Sequence, residues 1–209
     1  MRTGRDEAQS AVLGSKFYVC GGRRGTHYLR SCEAYDFTTN QWETTPPLPG
    51  TSFSRLLASN GEDLFVVNTD YKKVFKLDTA QDVAAWSAVQ ELPEEARRAA
   101  GAFFQGSLIM CGGYSAEYDY SYYVKSDCHA YAPTTNEWST FAPMDQRKSH
   151  QMLVFKGALY AFGGKDNYHR ALTSLQKYDE DEKAWKTMDG VTFPPEGTSG
   201  YAALAIELR

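Results

Sequence analysis

Short apolar runs, separated by turn residues, make up most of the chain. In the clearest stretch, apolar residues 152–155 and 159–162 flank a Lys-Gly turn, and Gly163-Gly164 ends the second run. Residues 174–178, SLQKY, mix polar and apolar side chains as a half-buried strand does, and a charged turn leads to Trp185. Runs of this length between turn residues predict four short strands in about forty residues.

The same arrangement recurs along the chain as a glycine pair, a tyrosine, and a tryptophan seven residues after the tyrosine. The three complete copies consist of Gly21, Gly22, Tyr35 and Trp42; Gly112, Gly113, Tyr131 and Trp138; and Gly163, Gly164, Tyr178 and Trp185. In a fourth, eroded copy, Asn68-Thr69 replaces the glycine pair, Leu77 replaces the tyrosine, and Trp86 is retained. Successive tryptophans are 44, 52 and 47 residues apart.

A repeat of this length predicts the architecture. Each copy forms a four-stranded sheet that cannot cover both of its own faces. Radial stacking of such sheets covers these faces, and the resulting architecture is a β-propeller. No segment of helical length shows a 3.6-residue period. The sequence therefore predicts an all-β chain whose repeated residues build the scaffold.

Composition narrows the possible partners and location. The net charge of −4 does not favour nucleic acid, because phosphate binding needs a concentrated basic surface. No apolar run approaches the roughly 20 residues that span a bilayer, so no membrane partner is expected. The first five residues, MRTGR, precede no apolar core and do not resemble a signal peptide. A cytoplasmic protein is expected.

Four cysteines occupy two pairs of matching repeat positions. Cys20 and Cys111 directly precede glycine pairs, and Cys32 and Cys128 each lie three residues before a repeat tyrosine. Two interpretations are open, namely small buried side chains with reduced thiols, and a cross-strand disulfide or redox pair in each of the two blades. Without a secretory signal, we expect reduced thiols.

These residues resemble the Kelch repeat, in which an apolar strand ends in Gly-Gly and is followed by Tyr-Asp, a short turn, Trp, and then Pro-Met and Arg. Here the motif reads Tyr35-Asp36 with Trp42, Tyr178-Asp179 with Trp185, and APMDQR over residues 142–147. The resemblance covers nearly the whole chain. It is closest to the Kelch region of BTB-Kelch substrate adaptors for cullin-type ubiquitin ligases.

The resemblance implies a Kelch-type β-propeller over residues 1–209. Four recognisable four-stranded blades are expected at approximately 6–49, 50–93, 96–144 and 147–190, with an extra or closing inner strand at 198–209. Kelch propellers usually close with six blades. The four blades here each have one inner strand, and the segment 198–209 adds a fifth, which is one more than a closed four-bladed ring needs. The chain is therefore expected to be part of a larger propeller.

The resemblance also implies a protein-interaction module without a cofactor, which recruits a substrate or partner peptide through loops at one end of the propeller. A cullin-type ligase is implied only if a BTB domain lies upstream, and no BTB domain is visible here. A cytoskeletal, actin-binding Kelch scaffold is an alternative.

In the resembling adaptors, two kinds of position line the binding face. One is the residue after each glycine pair, and the other is the linker that enters each inner strand. Carried over, the positions after the glycine pairs are Arg23, Tyr114 and Lys165. The linker positions are Arg5, Ser54, Arg55, Arg97, Arg98, Arg147 and Ser149. Each arginine is also open to a second interpretation, as a solvated charge or a partner of the repeat acids Asp36 and Asp179.

The loop after the third copy's glycine pair departs most from the repeat. Eighteen residues separate Gly113 from Tyr131, against 13 and 14 in the first and fourth copies, and five of the chain's 14 tyrosines lie in residues 114–123. Tyrosine provides large contact areas with few rotors, which suits interface hot spots, so Tyr118 and Tyr120 join Tyr114 as candidates. A loop that packs over its own blade is equally open.

Basic linkers beside aromatic loops suit an acidic or phosphorylated peptide, because arginine pairs with carboxylates in a bidentate manner. The enzymatic alternative is a Kelch-fold copper radical oxidase or sugar epimerase. The four histidines, His27, His129, His150 and His169, fall at different repeat positions without ligand spacing. No paired carboxylates suggest acid–base catalysis, so no metal site is expected and a binding role is favoured over an enzyme.

Overall fold

The computed structural model describes residues 1–49, 56–79, 84–116 and 122–192. Every regular element in these ranges is a β-strand, which confirms the predicted all-β class. Within the same ranges, no helix is long and apolar enough to cross a bilayer. The chain divides into two compact units, Met1–Pro93 and Glu94–Arg209.

The first unit contains two four-stranded antiparallel sheets, blades 1 and 2. Blade 1 has the order β1-β2-β5-β6 and also carries a small hairpin, β3-β4, in its loop. The strands of blade 1 are β1 (Gln9–Leu13), β2 (Lys16–Cys20), β3 (Arg23–Arg24), β4 (His27–Tyr28), β5 (Cys32–Asp36) and β6 (Gln41–Thr45). Those of blade 2, in sequential order, are β7 (Leu56–Ser59), β8 (Leu64–Asn68), β9 (Lys73–Asp78) and β10 (Ala85–Ala88).

The second unit contains blades 3 and 4, which are built in the same way. Blade 3 has the order β11-β12-β15-β16, and its loop carries the hairpin β13-β14. The strands of blade 3 are β11 (Ala100–Phe104), β12 (Ser107–Cys111), β13 (Tyr114–Ala116), β14 (Tyr122–Val124), β15 (Cys128–Ala132) and β16 (Glu137–Phe141). Those of blade 4, in sequential order, are β17 (Gln151–Phe155), β18 (Ala158–Phe162), β19 (Ser174–Asp179) and β20 (Ala184–Thr192). The predicted four blades of four strands are confirmed.

In each unit the first strands of the two blades are neighbours: β1 lies beside β7, and β11 lies beside β17. The core of each unit fills the space between its two sheets. Between blades 1 and 2 it includes Cys20, Leu57 and Leu64, and between blades 3 and 4 it includes Ile109 and Leu159. Because neighbouring blades cover these sheets, central strands such as β8 and β12 are almost continuously buried.

Each glycine pair has positive φ angles and ends the second strand of its blade. The φ angles are 68° and 80° at Gly21 and Gly22, 66° and 85° at Gly112 and Gly113, and 65° and 91° at Gly163 and Gly164. The second glycine of each pair lies directly against the linker that enters the inner strand. A Cβ atom at Gly113 would lie 2.7 Å from the carbonyl oxygen of Arg97, and one at Gly164 would lie 2.7 Å from that of Lys148. Glycine is required for both the conformation and the close approach.

The repeat tyrosine and tryptophan lie directly opposite each other on the two outer strands. Tyr35 is in register with Trp42, and Tyr178 with Trp185, with ring centroids 5.4 and 5.6 Å apart. In the second blade of each unit the tryptophan also ties the blades together. Trp86 donates its indole N–H to the carbonyl of Pro46 at 3.1 Å, and Trp185 donates to that of Ala142 at 3.0 Å. Trp86 of the eroded second repeat therefore has a structural role between the two blades of its unit.

Both cysteine pairs form disulfides, so the expectation of reduced thiols is wrong. Cys20 and Cys32 are directly opposite on β2 and β5, and Cys111 and Cys128 are directly opposite on β12 and β15. In both pairs the Cα atoms are 4.1 Å apart and the side chains are buried. The matching repeat positions were the informative signal, because they place the two thiols face to face on paired strands.

Several expectations fall on residues outside the described ranges. They concern Ser54, Arg55, Tyr118, Tyr120 and the extra strand at 198–209. The predicted blade boundaries and the membership in a larger propeller stay predictions.

Replacing Gly113 by alanine will destabilise the protein more than replacing Gly106. Both glycines have positive φ, 85° and 77°, so each substitution incurs a conformational cost of about 1–2 kcal/mol. A Cβ atom at Gly113 also lies 2.7 to 2.9 Å from three backbone atoms, whereas one at Gly106 meets nothing within 4 Å. Overpacking adds roughly 1–3 kcal/mol at Gly113 alone. Equal losses of unfolding free energy in urea titrations of the two variants would contradict the close approach.

Thiol labelling in denaturant without reductant will find no reactive cysteine, and labelling after reduction will find all four. Mass spectrometry reports the number of labels. As a control, Cys111→Ser leaves Cys128 without its partner and gives a single labelled thiol before reduction. Four labels on the unreduced wild-type protein would show that neither bond forms.

Candidate functional site

Short backbone bridges join the loop after each glycine pair to the linker that enters the inner strand. The residue after each glycine pair forms an isolated antiparallel β-bridge with a linker residue. These bridges join Asp6 to Arg23, Arg97 to Tyr114, and Lys148 to Lys165, with reciprocal N–H···O distances of 2.8 to 3.0 Å. At equivalent positions of three blades, therefore, a linker side chain and a loop side chain start from paired backbone positions.

Arg5 lies inside blade 1 rather than on this face. Its side chain is 1% exposed and donates hydrogen bonds to the carbonyls of Gly21 and Ser31 at 2.8 and 2.7 Å. It also forms a 2.8 Å ion pair with Glu33, whose side chain is 4% exposed. The guanidinium thus binds the glycine pair and the third sheet strand of its own blade.

Arg147 occupies the corresponding place in blade 4 and is fully buried. It donates to Gln176 Oε1 at 2.9 Å, to Ser174 Oγ at 3.2 Å and to the Gly163 carbonyl at 3.4 Å. Arg5 and Arg147 are therefore internal contacts of their blades.

Blade 3 has a different arrangement, because Ala96 stands at the position of these arginines. There Glu94 accepts hydrogen bonds from His129 Nε2 at 3.0 Å and from the Lys125 ammonium group.

The remaining predicted arginines differ in how their charge is compensated. Arg23 is paired with Asp6 at 3.2 Å and with Glu7 at 3.5 Å, so the blade 1 position is balanced by acids. Arg97 is paired with Glu95 at 2.5 Å, and Arg98 is exposed. Ser149 is half-buried and donates its backbone N–H to the Arg98 carbonyl at 2.9 Å.

The most concentrated group of candidate binding side chains lies in the second unit and is here named the Tyr–Lys cluster. Its members are Tyr114, Tyr122, Lys148, Lys165 and His169. The Lys148 ammonium lies 3.7 Å from the ring centroid of Tyr122 and 5.3 Å from that of Tyr114. The two tyrosine rings are 5.3 Å apart in an edge-on arrangement, and Tyr122 bonds His169 Nε2 through its hydroxyl group.

Lys148 is 5% exposed, yet among the described residues no carboxylate lies within ion-pairing distance of its ammonium group. Its ammonium group lies near the two tyrosine rings, whose faces attract a cation through their negative quadrupole. Lys165, half-buried, likewise has no ion pair with a described acid. Among the described residues, therefore, the two lysines of the cluster have no acidic partner, in contrast to Arg23 in blade 1.

Hydrogen bonds of neighbouring loops hold the cluster in place. Asn167 accepts from the Val124 N–H at 2.6 Å and donates to Gln146 at 3.1 Å, which links the β13-β14 hairpin to blade 4. Asp166 accepts from the backbone N–H groups of Tyr168 and Arg170 at 2.8 and 2.9 Å. Between them His169 has a φ of 60°, so the turn fixes the direction of its ring.

Three members of the cluster were missed by the sequence reasoning: Lys148, Tyr122 and His169. Lys148 lies between the two predicted residues Arg147 and Ser149. Counting back from the second glycine of each pair would have identified Lys148, because it lies 16 residues before Gly164, as Asp6 lies before Gly22 and Arg97 before Gly113. Tyr122 lies in the tyrosine-rich segment that the sequence indicates, whereas the contact of His169 has no local sequence signal.

The four histidines have different surroundings. His27 is exposed on β4, His129 contacts Glu94, His150 is buried, and His169 contacts Tyr122. Within the part of the chain that the structure describes, no group of three His, Cys, Asp or Glu side chains could hold a metal ion.

Comparisons with known proteins agree with this geometry. Residues 4–49 and 146–189 match the model of the Kelch motif. Alpha-scruin from Limulus polyphemus is 24% identical over 179 residues, which are 83% of this chain and 19% of alpha-scruin. Kelch-like protein 35 from Mus musculus is 26% identical over 188 residues, which are 86% of this chain and 30% of that protein. The chain thus spans less than a third of the length of these curated relatives.

Two further similarities concern the fold and an enzyme. The structure of YjhT superposes with a TM-score of 0.72 at 15% identity, covering 90% of this chain and 70% of that chain, which is a likeness of fold. An N-acetylneuraminate epimerase from Shigella sonnei is 34% identical over 94 residues, which are 43% of this chain and 25% of the epimerase.

Glu33→Gln will destabilise the protein at neutral pH and will remove part of its acid sensitivity. Burial raises the pKa of Glu33, but the bonds from the Arg2 N–H, the Arg5 guanidinium and the Thr3 N–H outweigh it, so the pKa lies below its ordinary value. A lowered pKa stabilises the fold above the pKa of the unfolded chain, and this stabilisation is lost as the pH falls through the folded-state pKa.

Thermal unfolding from pH 7 to pH 3 tests this. The wild type is expected to exceed Glu33→Gln by about 2 kcal/mol at pH 7 and to converge with it at acid pH. The control is Glu43→Gln, which removes an exposed partner of Lys16 and is expected to cost less than about 1 kcal/mol. A constant difference across the pH range would contradict the assignment.

Proposed function

We propose that this chain, a Kelch-repeat protein as its matched motifs and blades show, is a protein-interaction module that binds an acidic segment of a partner at the Tyr–Lys cluster. The observation that carries the proposal is Lys148, a nearly buried lysine held between two tyrosine rings without a described carboxylate partner. Burial of a charge is costly unless it is paired, so a carboxylate from a partner completes this environment.

The charges and aromatic faces of the cluster suit a peptide ligand better than a nucleic acid. Lys148 and Lys165 are two cations without a described acidic partner, whereas phosphate backbones are bound by extended basic surfaces. Carboxylates accept strong charge-assisted hydrogen bonds from an ammonium group, and tyrosine faces pack against the apolar parts of neighbouring peptide residues. Arg97, Arg98, Ser149 and Lys165 stay candidates for the surrounding contacts, and Tyr118 and Tyr120 stay candidates on sequence grounds. Arg5 and Arg147 are left out of the proposed surface because their guanidinium groups are used internally.

A role as a substrate adaptor of a cullin-type ubiquitin ligase is the finer form of this proposal. It is supported by the similarity to Kelch-like proteins 35 and 23 and depends on a BTB domain in the same polypeptide. The cytoplasmic location stays a prediction, and the two disulfides weigh against it, because such bonds persist mainly in oxidising compartments. A cytoskeletal scaffold stays an alternative.

A Kelch-fold enzyme is a second candidate, supported by the 34% identity with an N-acetylneuraminate epimerase over 94 residues. N-acetylneuraminate carries a carboxylate that Lys148 could pair with. The hydroxyl of Tyr122 beside His169 would then supply groups suited to proton transfer.

Lys148→Met will weaken the binding of acidic peptides about ten- to a hundredfold, because methionine keeps the apolar stem and removes the charged donor. The measurement is fluorescence anisotropy with labelled nine-residue peptides that contain paired Asp and Glu, beside counterparts with Asn and Gln. The matched control is Arg23→Met, since Arg23 is already paired with Asp6 and Glu7 and its loss is expected to change affinity less than about twofold.

The other outcomes are equally informative. Lack of binding by every acidic peptide, or equal weakening by both substitutions, would contradict the proposed surface. Binding of N-acetylneuraminate in the absence of any peptide binding, lost in Lys148→Met, would favour the enzymatic candidate. Unfolding midpoints of both variants are measured in parallel, so that a loss of fold is not mistaken for a loss of contact.

A further inference from the structure

Arg147 is a buried cation whose charge no nearby buried group balances. Its side chain is 0% exposed, and among the described carboxylates only Asp145 approaches it within ion-pairing range, with an oxygen 4.0 Å from Nη2. The Asp145 side chain is 67% exposed, so its charge is largely screened by water. The acceptors in hydrogen-bond contact with the guanidinium, from Gly163, Ser174 and Gln176, are all neutral.

Blade 1 shows how the same position is balanced elsewhere in the chain. Glu33 and Gln176 each lie two residues before a repeat tyrosine, and each bonds the arginine of its own blade. Glu33 brings a full negative charge to within 2.8 Å of Arg5. Gln176 keeps the hydrogen bond to Arg147 at 2.9 Å and lacks the charge. Blade 4 therefore retains the cation of this pair without its anion.

Nitrogen atoms of Arg147 and of the nearby His150 also lack a hydrogen-bond partner among the described residues. Arg147 Nε and both ring nitrogens of His150 are buried and bond no described group. The two residues are neighbours, since a Cβ atom at Gly112 would lie 2.4 Å from the Arg147 carbonyl oxygen and 3.1 Å from His150 Cε1. Burial and the Arg147 charge hold the pKa of His150 well below its ordinary value. The imidazole is therefore neutral and adds one N–H donor without adding a second buried charge.

We infer that a small inorganic anion of the halide class binds beside Arg147 and His150 and supplies the charge that Glu33 supplies in blade 1. A single negative charge balances the single guanidinium. The Arg147 Nε–H and one imidazole N–H donate to it, and buried polar groups in folded proteins usually have such a partner. Arg5 Nε in blade 1 also bonds no described group, so the His150 nitrogens and the missing carboxylate are what distinguish blade 4. A halide also costs less to desolvate than a divalent oxyanion, because the cost of desolvation rises steeply with charge.

The inference is tested by thermal unfolding in sodium chloride and in sodium gluconate at equal ionic strength. For the wild type we expect a midpoint about 2–4 °C higher in chloride, the shift that a ligand binding only the folded state produces at concentrations above its dissociation constant. Gln176→Glu brings the carboxylate into the protein and is expected to reduce this difference to below about 1 °C. Glu33→Gln, the matched change in blade 1, removes an internal anion and is expected to enlarge the chloride effect.

Crystals of the wild-type protein grown in bromide give a second, independent measurement. An anomalous peak within hydrogen-bonding distance of Arg147 Nε is expected. An equal chloride response in the wild type and Gln176→Glu, or a water molecule in place of the bromide peak, would overturn the inference. Because the diffraction experiment uses the unmodified chain, it decides the question even if Gln176→Glu fails to fold.

Discussion

The close approach of two backbone segments at each glycine pair is the constraint on which the rest of the structure depends. Where the second strand of a blade ends, the chain must turn with positive φ and touch the linker that enters the inner strand. The reciprocal hydrogen bonds that follow fix which linker residue faces which loop residue. The position of Lys148 beside Lys165 and Tyr114 is a direct result of this backbone contact, since side-chain attraction alone does not set such a register.

Much of the scaffold could be predicted because its signals are local. The spacing of Gly-Gly, Tyr and Trp is set by strand length and turn type, so it predicts the blades correctly even in the eroded second copy, where Trp86 keeps its bond to Pro46. The candidate site was predicted only in part, because it combines side chains from separate loops. The contact between Tyr122 and His169 joins residues 47 positions apart, and no periodicity in the sequence encodes it.

The basic side chains of the linkers show that charge in a repeat protein must be assigned by environment rather than by residue type. Arg5 and Arg147 bind carbonyl groups inside their blades, Arg23 is balanced by two acids, and Lys148 lies between aromatic rings. A sequence shows all of them as positive residues near a strand entry. Of these four side chains, Lys148 alone has neither a described hydrogen-bond acceptor nor a described carboxylate at its charged group.

The Cys111–Cys128 bond gives the tyrosine-bearing loop of blade 3 a property that the rest of the blade lacks. The two cysteines are 17 residues apart and enclose Tyr114, Tyr122 and Lys125, so this loop is a covalently closed ring mounted on a sheet. A ring has far fewer conformations than an open segment of equal length, so less conformational entropy would be lost if the loop became ordered. It would also stay attached after a single cut by a protease, much as a cyclic peptide tethered at both ends does.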